Sequence, residues 1–216
     1  MIRYTILAAA AAAAFAAAPA HALLIDDFNG GDDVVVSGFA PGPSTTAYAG
    51  AIGGARTLEV LSGALGATSL AVSGGTLNHG QSPVSGGTST VTWGALGGVD
   101  LTEAGGANGI RLEIFFIDVG LVDLTFDIID TGTDVSSLQL ANLTTGTHQF
   151  FFTDFVGTAD FTSIEDIKLT TVAQTNSDLQ IDLLESITVV DVSEPGILAI
   201  AGAGLLGLAG FARRRT

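Results

Sequence analysis

Cysteine is absent from the 216-residue chain. Its absence excludes disulfides, iron–sulfur clusters, thiol nucleophiles and a lipid-modified N-terminal cysteine. Basic residues are nearly as scarce, with seven Lys and Arg against 22 Asp and Glu and a formal charge of −15. Such a chain lacks the clustered Lys/Arg surface that nucleic-acid binding needs. There are three histidines. One falls in the leader-like start, and His79 and His148 are too few and too far apart for a zinc site built on several imidazoles. No Gly-x-Ser-x-Gly elbow presents a serine nucleophile. Aromatic residues other than phenylalanine are limited to one Trp and two Tyr. Most phenylalanines sit in strand-like runs where core packing accounts for them.

What is present divides into three pieces, and the length fits one ordinary domain between two unusual ends. Residues 1–22 carry a basic start at Arg3, an alanine-rich apolar stretch, Pro19, and then Ala20-His21-Ala22. This is the layout of a cleaved secretory signal, with small residues at Ala20 and Ala22 before a mature start at Leu23. It predicts an N-terminal signal helix, passage through the Sec translocon, removal by signal peptidase, and a mature chain outside the cytoplasm.

At the other end, residues 196–212 contain no charged or strongly polar side chain, and Arg213-Arg214-Arg215-Thr216 follow. A stretch of that length is at the short limit for a transmembrane helix, and the arginines would stay on the cytoplasmic side of the inner membrane. Just upstream lies Ser193-Glu194-Pro195, where proline suits a first helical turn. The combination of Glu194 and Pro195, a Gly/Ala/Leu-rich span and the cluster Arg213 to Arg215 resembles the PEP-CTERM sorting signal of Gram-negative bacteria. Ser193 stands where that motif has its first proline. The resemblance covers residues 193–216 and implies transient inner-membrane anchoring, recognition by an exosortase, and a destination in the cell envelope or extracellular matrix.

The body, residues 23–192, holds nearly all the carboxylates, and between Asp26 and Glu194 only Arg56, Arg111 and Lys168 oppose 22 acidic residues, a balance of −19. Such a surface suits solubility outside the cell or divalent-cation binding. Short Val/Ile/Phe/Thr-rich runs separated by Gly, Asn and Asp clusters predict β-structure throughout. Candidate strands are 23–28, 34–38, 56–61, 69–73, 88–93, 110–117, 121–129, 136–140, 148–152, 164–172 and 179–190. This many strands in one chain predicts an all-β fold of two packed antiparallel sheets. Stretches 40–54 and 74–87 read as long rim loops. The alternating rows Ile110, Leu112, Ile114, Phe116 and Val122, Leu124, Phe126, Ile128 predict a hairpin turning at Asp118-Val119-Gly120, with Arg111 opposite Asp127.

Strict alternation through 179–190 sets Glu185 on the same side as Leu179, Ile181 and Leu183. An inward carboxylate requires a partner, a metal, or a β-bulge near Leu184 that turns it outward. The framing of the body by LLIDDFNGG and LLESITVV resembles jelly-roll carbohydrate-binding modules, in which the first and last strands lie side by side and a structural Ca²⁺ often sits between them. The resemblance implies a jelly-roll β-sandwich and makes Asp27 and Glu185 the candidate calcium ligands. Sugar binding generally uses exposed aromatic platforms beside polar groups, which nominates Trp93 and the Tyr48 loop and makes extracellular polysaccharide a candidate partner. No catalytic residue is assigned. The expected function is that of a non-enzymatic, exported envelope or matrix protein. A glycan-binding module is the alternative, and a carboxylate-based glycan-active enzyme would need two carboxylates facing across a cleft about 5–10 Å apart.

Overall fold

A computed structural model describes residues 22–36, 43–62, 68–84 and 86–188. Ala20, the signal segment, Glu194, Pro195, the span 196–212 and Arg213 to Arg215 lie outside them. Among the described residues no helix is long and apolar enough to cross a membrane.

The described residues form fourteen strands: β1 Leu24–Asp26, β2 Asp33–Val36, β3 Ser44–Ala47, β4 Ala55–Ser62, β5 Thr68–Ser73, β6 Thr76–Gln81, β7 Gly87–Trp93, β8 Gly109–Ile117, β9 Val122–Asp130, β10 Val135–Leu140, β11 Gly146–Phe151, β12 Val156–Gly157, β13 Ile164–Ala173 and β14 Asp178–Ile187. They form two seven-stranded sheets. The first has the order β11-β8-β14-β6-β5-β2 with β1 added against β14, and the second has the order β12-β10-β9-β13-β7-β4-β3. Every strand pair is antiparallel. The fold is therefore all-β, and the chain passes repeatedly from one sheet to the other.

Alternation explains the core. In β9, Val122, Leu124, Phe126 and Ile128 point inward and are almost fully buried, and in β8 Ile110, Leu112 and Ile114 do the same. They join Leu58, Leu70, Val91, Ile167, Leu169 and Leu184 in one cluster between the sheets. At ~25 cal/mol per Å² of apolar surface removed from water, such a core supplies the main stabilisation of a chain without disulfides.

The structure corrects three expectations. β8 and β9 belong to different sheets, so residues 118–121 cross between sheets and form no hairpin. Arg111 consequently faces Glu185 of β14, and Asp127 faces Lys168 of β13 and Ser137 of β10. Two strands with matching inward rows satisfy the same pattern whether they pair or face each other. The second correction concerns stretches 40–54 and 74–87, which contain β3 and β6. The inward row of β6 is Leu77, His79 and Gln81, too polar to read as a strand, yet β6 lies in the middle of the first sheet. The third is Phe116, which is 41% exposed.

The first and last described strands do lie together, with Leu24 opposite Glu185 and Asp26 opposite Leu184.

Candidate functional site

The outer face of the first sheet carries the exposed aromatic side chains. In the β8–β14 ladder Phe116 pairs with Gln180 and Ile114 with Ile181, which leaves Phe115 as an extra residue. One step on, Glu113 pairs with Leu183, which leaves Asp182 as an extra residue on β14. Two β-bulges thus sit beside each other on neighbouring strands. A bulge sends two successive side chains to the same side of a sheet, so Phe115 and Phe116 both face solvent, at 70% and 41% exposure. Ile114 and Ile117 on either side remain in the core.

Polar residues surround this pair. One row of the outer face runs Phe116, Gln180, Asn78. Glu113 lies next to Phe115 toward the start of β8 and opposite Thr147 of the edge strand β11. Asp182 is exposed. Further along, Arg111 and Glu185 form an ion pair of 2.8 Å. At the far end the Asp178 amide donates to Asp118 at 2.9 Å. Rings set among amides, hydroxyls and carboxylates offer a polar ligand both a stacking surface and hydrogen-bond partners. The signal for this site in the sequence is the unbroken apolar run Ile114-Phe115-Phe116-Ile117, which a strictly alternating strand with one solvated face does not accommodate.

Of the sequence-nominated residues, Glu185 lies on this face and Asp27, Tyr48 and Trp93 fall elsewhere. The bulge at Asp182 restores Leu184 to the core and turns Glu185 outward, onto Arg111. Asp27 accepts hydrogen bonds from the Tyr48 hydroxyl at 2.6 Å and the Asn29 amide at 3.1 Å. Partial burial works against its ionisation, but the bonds from Tyr48 and Asn29 outweigh that and hold its carboxyl below the usual value. Glu185 and Asp27 are thus engaged with different protein partners. Among the described residues no group of three or more His, Asp and Glu is arranged to hold a metal ion.

Trp93 is fully buried, which corrects its nomination as an exposed platform. Its indole donates to Asp26 Oδ2 at 2.8 Å. Asp26, also fully buried, receives Arg56 Nη1 on both oxygens at 2.9 and 3.0 Å, and the Phe28 amide at 2.8 Å. Arg56 in turn donates to the carbonyls of Gly30 and Gly31. Its guanidinium lies 5.0 Å from the centre of the Tyr48 ring. A Cβ at Gly30 or Gly50 would approach that ring to 2.7 or 2.5 Å. Tyr48 is therefore held between an arginine and a glycine-lined loop, and it packs against the core. Trp93 and Tyr48, nominated separately, meet through Asp26 and Arg56 in one structural cluster.

A second buried polar group links the two sheets. His79 of β6 lies 2.7 Å from Ser89 of β7 through Nδ1 and 2.8 Å from the Gln81 amide nitrogen through Nε2. Gln81 Oε1 accepts from Thr68 at 2.9 Å, which orients the amide. The amide nitrogen has only protons to give, so Nε2 accepts and the ring proton sits on Nδ1. Burial lowers the His79 pKa to about 4, and the imidazole is neutral over the ordinary pH range.

No protein-family model and no curated protein sequence matches the chain. Solved structures similar to it include the family 11 carbohydrate-binding module of Clostridium thermocellum in complex with a β-1,3-1,4-mixed-linked tetrasaccharide, at 14% identity and a TM-score of 0.44, covering 78% of this chain and 96% of that one. A family 29 carbohydrate-binding module complexed with mannohexaose matches at 9% identity and a TM-score of 0.39, covering 78% of this chain and 92% of that one. The agarase AgWH50C matches at 11% identity and a TM-score of 0.45, covering 80% of this chain but only 25% of the enzyme. Likeness at these levels carries no residue-by-residue correspondence.

Proposed function

We propose that the body of this protein is a non-catalytic glycan-binding module whose ligand lies on the outer face of the first sheet. The observation that carries the reading is the pair Phe115 and Phe116, held out to solvent by a bulge beside Gln180, Asn78, Thr147, Glu113 and Asp182. Pyranose rings present C–H groups of partial positive charge that pack on the negative face of an aromatic ring, while their hydroxyls bond to amides and carboxylates. An exposed aromatic pair has no packing reason to persist on a monomer's surface. The test is affinity electrophoresis of the protein through gels containing individual polysaccharides. Retardation by at least one of them, reduced about tenfold or more in the double variant Phe115→Ala/Phe116→Ala, supports the reading, a loss equivalent to about 1.4 kcal/mol. Migration unchanged in every polysaccharide, or retardation that the double variant retains in full, would sink it.

We propose further that the ends of the chain set its address. In this reading residues 1–22 direct export through the Sec translocon and signal peptidase cleaves after Ala22. The PEP-CTERM-like segment 193–216 then holds the body at the inner membrane until an exosortase processes it. The module is thereby delivered to the envelope or extracellular matrix, where polysaccharide is at hand. Mass spectrometry of the mature protein from each cellular fraction tests both cleavages. A chain lacking residues 194–216 that partitions like the full chain in a host with an exosortase would refute the sorting role.

A further inference from the structure

We infer that the glycan recognised by this face carries free amines, so that the ligand is cationic; the inference rests on the glycan-binding reading above and names its ligand class. Charge around the two bulges favours such a ligand. Asp182 is exposed and is the extra residue of its bulge, diagonal to the extra residue Phe115 across the Ile114–Ile181 rung. Glu113 adjoins Phe115 on the same face. An ammonium placed over an aromatic face and next to a carboxylate is stabilised by both the ring quadrupole and a charge-assisted hydrogen bond. A neutral sugar offers the same carboxylates only hydrogen bonds, without the opposite charge that an ammonium brings.

Cations that would serve an anionic sugar are committed elsewhere. Among the described residues the basic side chains are Arg56, Arg111 and Lys168. Arg56 is buried against Asp26 and Arg111 is paired with Glu185. Lys168 belongs to β13 in the other sheet, opposite Asp127. The outer face of the first sheet therefore keeps Glu113, Asp182 and Glu185 against the single guanidinium of Arg111, with Asp118 and Asp178 beyond Phe116. A uronate or sulfate would meet repulsion there, and an amine would meet two carboxylates.

Because the body as a whole is strongly acidic, the experiment must separate this face from diffuse attraction. The full chain is titrated at pH 6 and about 150 mM salt, where long-range fields are screened beyond roughly 8 Å. The probes are chitosans of graded N-acetylation, a neutral β-glucan, alginate and poly-lysine. Affinity is expected to rise at least tenfold from the most acetylated to the least acetylated chitosan, and alginate is expected not to bind. Asp182→Asn should weaken chitosan binding about fivefold or more. Asp123→Asn, which removes the same charge from an exposed position on β9 in the other sheet, should leave it unchanged. Equal binding of neutral glucan and chitosan, with Asp182→Asn silent, would overturn the amine preference while leaving glycan binding standing. Equal weakening by Asp182→Asn and Asp123→Asn, or poly-lysine binding that depends on Asp182 and Phe115 as chitosan binding does, would also overturn it by showing recognition of charge alone. Failure of every polymer to bind would remove both the ligand class and the glycan reading.

Discussion

At the scale of single residues, two ion pairs of similar length are expected to differ sharply in worth. Arg56 and Asp26 are fully buried 2.9 Å apart, and the carboxylate is also held by Trp93 and the Phe28 amide. Removing one partner strands a charge in the core, so Asp26→Ala or Arg56→Met is expected to cost about 3–5 kcal/mol in chemical denaturation. Arg111 and Glu185 are 2.8 Å apart but on the outer face, with the arginine side chain one-third exposed. Solvent screening limits that pair, and Glu185→Ala is expected to cost under about 1 kcal/mol. The same cluster makes Gly50 sensitive, because a Cβ there would come within 2.5 Å of the Tyr48 hydroxyl. Gly50→Ala should push the phenol off Asp27, read as a changed tyrosine environment in near-ultraviolet spectra.

At the scale of the strand, the paired bulges in β8 and β14 decide which residues belong to the core. Counting by twos from Leu179 puts Leu183 and Glu185 inside, whereas the ladder skips at Asp182 and puts Leu184 inside, fully buried, with Leu183 only half-buried. Leu184→Ala is therefore expected to lower stability by about 2–5 kcal/mol and Leu183→Ala by much less, measured side by side in urea. Equal costs would mean that the bulge is not where the ladder places it. The same skip separates what the sequence shows from what it hides. Each of the eleven candidate strand segments overlaps an observed strand, because Val, Ile, Phe and Thr alternate there against a half-buried sheet. β6 is hidden because its inward row is His79 and Gln81 beside Leu77. β12, only two residues long, carries no periodic signal. Sheet membership is hidden for a different reason, since an inward row looks the same on paired strands as on facing ones. The aromatic site depends on a bulge at Phe115, and one local insertion in a ladder overrides a period of two.

At the scale of the whole molecule, the two sheets are joined across the core mainly by apolar contact; beside the buried link from Asp26 of β1 to Arg56 of β4 and Trp93 of β7, a second polar connection is His79, reaching from β6 in one sheet to Ser89 of β7 in the other. Its neutral form fits because Nε2 accepts from Gln81; protonation there would set a donor against a donor. The direction of the pH effect follows from the two states. Unfolded, the imidazole takes up a proton below about 6.5, whereas burial in the folded protein delays this to about 4. Between those values the unfolded state binds more protons, so stability falls as pH falls. A difference of this size corresponds to about 3 kcal/mol, fully present above pH ~6.5 and lost progressively toward pH ~4. Carboxylates held below their usual range by hydrogen bonds, such as Asp100 on Thr102 and Ala104 and Asp130 on the amide of Asp160, add their losses at still lower pH. Urea denaturation across pH 7 to 4 should therefore show a slope that His79→Gln flattens, whatever the variant's stability at pH 7. An unchanged slope in that variant would mean that the coupling between the sheets does not run through this imidazole.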